Sequence, residues 1–182
     1  PLLLDELLDP RTLYTPLSRA ELGRELARKL ESVDANDLEQ IMIALRRFKQ
    51  ANVLRVAAAD LSDAIPIMVV SDYLTWTAEV LVDEILRQAW RTTADKHGVP
   101  PGGRPDEPVG FAVIAYGKMG GIELGYGSDL DLVFLYDGND ITPTEGAKPI
   151  STAEFFSRVA RRIIHLLTSQ TPAGMLYEVD LR

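Results

Sequence analysis

The chain has 182 residues, of which 25% are charged and 46% are hydrophobic, and it contains no cysteine. The lack of cysteine excludes disulfides, thiolate zinc sites and cysteine nucleophiles, and it fits a cytoplasmic protein. The formal net charge of −8 at pH 7 argues against a nucleic-acid partner, because nucleic-acid-binding domains usually carry a basic excess. No apolar run reaches the roughly 18 residues of a membrane span, so we expect no membrane partner.

The first part of the chain is predicted to be helical. Residues 1–17 contain three prolines and are expected to form a short helix and an extended connector. Ser18 and Glu21 have the spacing of a capping box, which predicts that a helix starts there. Apolar residues spaced by three and four predict a second, longer helix over about 37–60.

A third helix is expected to be capped by Ser71 and to end at His97, before a proline- and glycine-rich segment. This segment, 98–109, predicts a linker between two parts of the chain. We therefore divide the chain into a helical region over 1–97, which packs on the rest, and a sheet-containing core over 110–182.

Two basic clusters lie on predicted helices, and we interpret both as solvated helix faces in preference to ligand sites. The clusters consist of Arg46, Arg47 and Lys49, and of Arg158, Arg161 and Arg162.

The most informative stretch is 110–137, GFAVIAYGKMGGIELGYGSDLDLVFLYD. Apolar runs at 111–116 and 132–136 flank a glycine-rich turn and predict two strands. Because both runs are continuous, we expect the strands to be covered on both faces, or nearly so, and Val133 to be buried.

Two acids stand at the start of the second strand. Side chains alternate across a sheet, so Asp129 and Asp131 are expected to point to the same side. Two carboxylates there would repel each other unless a hard cation such as Mg²⁺ lay between them. The glycines before them would allow backbone N–H groups to approach an anion closely. A cation site beside an anion-binding turn indicates a nucleotide triphosphate site.

Three better-known motifs are excluded by one or two positions each. A phosphate-binding Walker loop would need glycine at Ala112 and serine or threonine at Met119. A dinucleotide fingerprint would need glycine at Leu130, and a calcium-binding EF-hand loop would need glycine at Phe134.

The pattern that fits is that of a nucleotidyltransferase: a glycine turn, an Asp-x-Asp pair and a third acid on a later strand. Ser151 and Glu154 form a second capping-box pattern and predict a helix that returns the chain to this strand. The run 176–181 predicts the strand. Glu178 and Asp180 share one of its faces, and Asp180 is the better candidate because apolar residues flank it.

The motifs YGKMGGIELGYGSDLDLVFLYD and YEVDLR closely resemble the glutamine synthetase adenylyltransferase family, as do PLLLDELLDP, LRRFKQANVLRVAAAD and VSDYLTWTAE. The resemblance implies an α+β (α/β-type) nucleotidyltransferase fold, with a small mixed sheet flanked by helices. Members have two nucleotidyltransferase domains: one transfers AMP from ATP to a tyrosine of glutamine synthetase, and the other removes it by phosphorolysis. The sequence of this chain is more similar to the C-terminal, adenylylating copy.

The resemblance also implies a set of site residues and partners. Asp129 and Asp131 would hold two Mg²⁺ ions roughly 3.5–4 Å apart, and Asp180 would complete the site for the ion that activates the acceptor. Glutamine synthetase would be the protein substrate, and a PII-type signalling protein and glutamine would be regulators. The groups expected to contact the triphosphate of ATP are Gly117, Gly120, Gly121 and Ser128. Lys118 would either neutralise phosphate charge or simply be solvated, and the two alternatives are equally good.

Members of the family continue beyond the last motif, so we expect this chain to be a fragment. Three alternatives stay open. The chain would be the deadenylylating copy if its activity required phosphate and adenylylated substrate. It would be another nucleotidyltransferase if its acceptor were a small molecule or RNA, although the acidic charge weakens the RNA version. It would be a regulatory binding module if it lacked Mg²⁺-dependent turnover, but three intact metal acids argue against this.

Overall fold

The computed structural model describes residues 17–137 and 142–181. The helix predicted within 1–17 therefore lies outside the described residues, apart from Leu17. The described elements are α1 (Arg19–Leu30), α2 (Leu38–Leu61), α3 (Ile67–His97), β1 (Phe111–Tyr116), α4 (Gly117–Gly120), β2 (Leu130–Tyr136), α5 (Thr152–Thr168) and β3 (Val179–Leu181). None of the helices in these ranges is long and apolar enough to cross a membrane.

The predicted start of α1 is confirmed by a complete capping box. The Glu21 N–H donates to Ser18 Oγ at 3.4 Å, and the Ser18 N–H donates to Glu21 Oε2 at 2.8 Å. Helix α5 begins in a similar way, because the Glu154 N–H donates to Ser151 Oγ at 3.2 Å. Short polar side chains thus satisfy amide groups that a helix start leaves without intrahelical partners.

The start of α3 was wrongly predicted at Ser71, since the helix begins at Ile67 with Pro66 as its N-cap. Proline fixes φ near the helical value and is compatible with a helix start, although Pro66 provides no side-chain hydrogen bond to the first turn. The predicted end at His97 is confirmed, and Gly98 follows with φ +74°.

Within the described residues, the sheet has the strand order β1-β2-β3. Strands β1 and β2 are antiparallel, whereas β2 and β3 are parallel and are joined through α5. The predicted mixed sheet flanked by helices, and with it the α+β class, is confirmed.

The expectation that both faces of the sheet are covered is wrong for the described residues. On one face, Leu130 and Leu132 are fully buried. The opposite face, which we call the open face, carries Ile114, Tyr116 and Leu135, which are 37%, 53% and 54% exposed. Val133 is paired with Ile114 there and is only half-buried. Continuous apolar sequence therefore does not mean a doubly covered strand here.

One hydrophobic core extends from α1 to the sheet. Trp90 of α3 packs edge-to-face against Phe155 of α5, with ring centroids 5.0 Å apart, and Phe156 stacks on Phe111 of β1 at 5.8 Å. Trp90 Nε1 also donates to the Arg104 carbonyl in the proline-rich segment at 2.9 Å. The division into 1–97, 98–109 and 110–182 stays a prediction.

Candidate active site

Two of the three predicted acids are brought side by side by the sheet. Asp131 in β2 and Asp180 in β3 are register partners, so their side chains emerge on the same face. Tyr116 is the partner of Asp131 on its other side, which identifies this face as the open face. Asp180 is exposed and Asp131 is half-buried. A ligand approaching the open face at this end would therefore meet both carboxylates.

The third predicted acid, Asp129, is half-buried and directly precedes β2. It lies two residues before Asp131, which is the spacing for side chains on one side of an extended segment. In the part of the chain that the structure describes, no three histidine, aspartate or glutamate side chains are grouped so that they could hold a metal ion. The donor chemistry nevertheless fits Mg²⁺, because carboxylate oxygens from adjacent strands are ligands that this hard cation takes.

The first glycine of the turn lies against one of these carboxylates. Gly117 has φ +54°, and a Cβ added to it would overlap Asp131 Oδ2. Only glycine combines this left-handed backbone conformation with so close an approach to the carboxylate. The glycine turn and the acid pair are therefore one structural unit.

The other two predicted glycines have roles within the turn itself. A Cβ on Gly120 would lie 2.7 Å from the Ala115 carbonyl oxygen, so this glycine permits close packing on β1. The Gly121 N–H donates to the Gly117 carbonyl at 3.0 Å. Met119 is buried and anchors the turn, whereas Lys118 is exposed. A phosphate-binding role for Gly120, Gly121 and Lys118 stays a prediction.

Ser128 shapes the loop that leads to the acids. Its Oγ accepts a hydrogen bond from the Gly125 N–H at 2.9 Å, and its own N–H donates to the Gly125 carbonyl at 3.2 Å. Since Oγ acts as an acceptor in this contact, the hydroxyl proton is still available to a phosphate oxygen.

The same loop is tied to the helical region by a contact that sequence reasoning missed. Tyr126 donates its hydroxyl proton to Asp60 Oδ2, at 2.9 Å, near the end of α2. Burial raises the pKa of Tyr126 to about 12, and the hydrogen bond to Asp60 and its negative charge contribute to the shift. The two residues are 66 positions apart, and no local sequence signal connects them.

The interpretation of Arg46 as part of a solvated helix face is wrong, because its side chain is buried, with 1% exposed. Its guanidinium donates to the carbonyls of Met42 at 3.0 Å, Leu166 at 3.3 Å and Gly174 at 2.6 Å, and also to that of Ser169. A cation at the C-terminus of a helix stabilises the terminal carbonyls and the helix dipole, here those of α5.

Lys49, one turn further along α2, holds the segment that enters β3. Its Nζ donates to the Leu176 carbonyl at 2.5 Å and lies 3.7 Å from the centroid of the Tyr177 ring. Burial lowers the pKa of Lys49 to about 8, with a smaller contribution from the charge of Arg46. Arg46 and Lys49 therefore fix the approach to Asp180. Arg47, between them, is exposed as predicted.

The arrangement joins three chemical capabilities at one end of the open face. It offers paired carboxylates for a hard cation, a glycine turn beside them, and exposed strand surface over which a second reactant can approach. Such a surface can position two reactants next to a cation-binding group.

Comparison with known proteins identifies the family to which the chain is similar. The family model described as glutamate-ammonia ligase adenylyltransferase matches residues 1–182. Curated relatives named "bifunctional glutamine synthetase adenylyltransferase/adenylyl-removing enzyme" match the whole chain: the protein of Methylococcus capsulatus is 59% identical, and those of Pseudomonas putida and Pseudomonas syringae are 55% and 54% identical. The chain covers 20%, 19% and 19% of these three relatives. It thus spans about a fifth of the length of the curated relatives it matches.

Proposed function

The chain belongs to the glutamate-ammonia ligase adenylyltransferase family, and on this premise we propose that it carries the adenylylating site that moves AMP from ATP to a tyrosine of glutamine synthetase. The observation that supports this proposal best is the register pairing of Asp131 with Asp180 on the open face, with Gly117 against Asp131. The printed name of the relatives contains both an adenylyltransferase and an adenylyl-removing activity. The choice between the two directions belongs to the proposal.

In the proposed reaction, the tyrosine oxygen attacks the α-phosphorus of ATP. The new bond joins this oxygen to AMP, and pyrophosphate leaves. The turn at Gly117 and the hydroxyl of Ser128 orient the phosphates, and Gly120, Gly121 and Lys118 complete this contact surface. Orientation is a large part of such catalysis, because it replaces a bimolecular encounter by a reaction between held groups.

The carboxylates have separate roles in this proposal. Asp129 and Asp131 would hold the nucleotide-bound cation, and Asp180, which is more exposed, would face the acceptor. Bound Mg²⁺ would neutralise charge on the phosphates and favour deprotonation of the acceptor hydroxyl. A free tyrosine has a pKa of about 10, so a base is useful at neutral pH, and we assign this role to Asp180.

Intact-mass analysis of glutamine synthetase after incubation with the chain, ATP and Mg²⁺ tests the proposal. We expect one added AMP with the native sequence and none with Asp129→Asn. The matched control is Asp63→Asn, which changes a carboxylate in the turn after α2. An adduct that forms equally well with Asp129→Asn would contradict the assignment of the acids.

The phosphorolytic direction is the second candidate, because the name of the relatives includes it. The same acids would then direct phosphate at the α-phosphorus of adenylylated tyrosine, releasing ADP and free tyrosine. Loss of AMP from adenylylated glutamine synthetase, dependent on phosphate and without adduct formation from ATP, would favour this candidate. A nucleotidyltransferase with another acceptor would leave glutamine synthetase unmodified in both assays.

The proposal extends to cellular context. A reaction that consumes ATP requires a compartment that supplies it, which supports the cytoplasmic location expected from the lack of cysteine. Control by a PII-type signalling protein is proposed from the family resemblance alone, without assigned residues.

A further inference from the structure

A basic cleft lies between the end of α3 and one side of α5, away from the proposed active site. Its volume is about 520 Å³, and the start of α2 closes one end at Leu38. The charged and imidazole side chains that line it, apart from Glu154, are Lys96, His97, Arg158, Arg161, Arg162 and His165. None of these residues belongs to the proposed active site.

The charge of the cleft is opposite to that of the chain, which carries a net −8. Four lysine and arginine side chains line the cleft together with one carboxylate, Glu154. That carboxylate is engaged by Arg158, whose Nη2 lies 2.6 Å from Glu154 Oε1. The cleft therefore holds an excess of positive charge.

The remaining cations of the cleft have few protein partners. Arg161 Nε donates to the Ser157 carbonyl of its own helix at 3.3 Å. For the side chains of Lys96 and Arg162, residues 17–137 and 142–181 provide no hydrogen-bond or ion-pair partner. Arg162 is half-buried and Lys96 is exposed, and both side chains line the cleft.

One wall of the cleft is rigidly built. His97 is 5% exposed, and its Nδ1 lies 2.9 Å from the Lys148 carbonyl oxygen, which fixes this nitrogen as the donor. Its Nε2 then accepts from Arg158 Nη1 at 2.7 Å. Arg158 is thus held by both His97 and Glu154, and the loop at Lys148 is attached to the same network. Such preorganisation reduces the entropy lost when a ligand binds.

We propose that this cleft binds a small anion that carries a phosphate group. Guanidinium and ammonium groups recognise phosphate. In this cleft, Arg162 and Lys96 are the cations without a partner among the described residues, so they are the candidates to bind it. The cleft has the size of a small-molecule site. Among the described residues that line it, Leu38 is the one whose side chain carries no polar group.

The threonine hydroxyls of the lining are not available to donate to an anion. Thr92 and Thr93 both donate to carbonyls of their own helix, at 2.7 Å each, to Gln88 and Ala89 respectively. Their protons are therefore engaged, and recognition depends on the cations. Accordingly, binding would be weakened strongly by loss of one arginine.

The test is a titration of the full chain with inorganic phosphate, followed by NMR of backbone amides, arginine side chains and histidine rings. The buffer contains EDTA and no nucleotide or Mg²⁺, and ionic strength is held constant with chloride. A second arm uses glycerol 3-phosphate and distinguishes free phosphate from a phosphate ester. We expect saturable shifts at α5 and at the His97 and His165 rings, without shifts in residues 117–131.

Two variants and one control complete the test. Arg162→Gln and Lys96→Gln should each weaken binding by about tenfold, the loss of one charge-assisted contact. Arg24→Gln, which removes the same charge from an exposed position on α1, should bind like the native chain. Lys96 is exposed, so Lys96→Gln keeps the test valid if Arg162→Gln does not fold.

No saturation up to about 10 mM of either probe would overturn the proposal, since weaker binding than this has no functional meaning. Shifts confined to residues 117–131, or equal affinity for Lys96→Gln and the native chain, would also overturn it. The experiment contains no ATP, metal or glutamine synthetase, so its result is independent of the proposed adenylyl transfer.

Discussion

Replacement of Gly117 by alanine tests the link between the glycine turn and the acid pair. The added methyl group would have to occupy space taken by Asp131 Oδ2, and the backbone at this position has φ +54°. Either the carboxylate moves or the turn changes its conformation. We therefore expect damage to both stability and the proposed site.

The magnitudes follow from these two features. A non-glycine residue in the left-handed region costs about 1–2 kcal/mol. For a chain of this size, 1 kcal/mol changes the melting temperature by about 2–4 °C, so Gly117→Ala should lower it by about 2–8 °C. Misplacing a catalytic group by about 1 Å can reduce the rate by about a hundredfold. Gly117→Ala should thus have a larger effect on the rate of AMP transfer than on the stability of the fold.

Gly121→Ala is the matched control in the same turn. Gly121 has φ −85°, and the nearest atom to an added Cβ is the Gly117 carbonyl oxygen at 3.4 Å. Alanine fits this conformation, and the loss of unfolded-state entropy should stabilise the chain by about 0.4–1 kcal/mol.

Three measurements read out the comparison: thermal unfolding, the rate of AMP transfer and the affinity for Mn²⁺, which reports on the carboxylates directly. Gly117→Ala should lower all three, whereas Gly121→Ala should lower neither the melting temperature nor the affinity for Mn²⁺. If Gly117→Ala matched Gly121→Ala in melting temperature and Mn²⁺ affinity, the reasoning about Asp131 would be refuted.

The other predictions concern the acids, the two faces of β2 and the buried lysine. Asp131→Asn should abolish Mg²⁺-dependent transfer without changing the melting temperature, because the side chain lies on the open face; full activity would disprove its role. Leu132→Asp should unfold the chain, because an unpaired charge at a fully buried position costs several kcal/mol, comparable to a total stability of about 5–15 kcal/mol. Val133→Asp, on the open face, should leave the chain folded, as measured by thermal unfolding followed by circular dichroism. A greater loss of stability for Val133→Asp than for Leu132→Asp would contradict the assigned faces. Burial, followed by the charge of Arg46, lowers the pKa of Lys49 from 10.5 to about 8, so between these values the unfolded chain binds more protons and stability rises with pH. Denaturant unfolding should therefore show that the free energy of unfolding of the native chain, relative to that of Lys49→Met, increases from about pH 8 to about pH 9.5. The same pH dependence in both proteins would contradict this prediction.

The parts of the fold that depend on local chemistry were predictable from sequence. Ser18 and Ser151 cap helices because the hydroxyl of an N-cap serine accepts a hydrogen bond from a backbone N–H in the first turn. The strand around Asp131 was likewise predicted, and the strand around Asp180 in part, because β3 covers only Val179–Leu181 of the predicted run 176–181. The spacing of two residues predicts that Asp129 and Asp131 share one side of the chain, and this stays a prediction.

The parts that depend on tertiary packing were not predictable. The apolar runs of β1 and β2 look the same whether one face or both are covered, so the open face could not be inferred from residues such as Ile114. Arg46 has the sequence context of a solvated cation, and only the arrival of the end of α5 makes it a buried cap. The contact of Tyr126 with Asp60 depends on helix packing in the same way.

The central claim is that Asp129, Asp131 and Asp180 form a metal and nucleotide site beside Gly117. Anomalous diffraction from crystals of the chain grown with Mn²⁺ and a non-hydrolysable ATP analogue tests it most directly. The account predicts anomalous peaks liganded by Asp129 and Asp131 on the open face, next to Asp180, with the analogue's phosphates against the turn at Gly117. Peaks or phosphates located elsewhere, with these carboxylates unliganded, would contradict it.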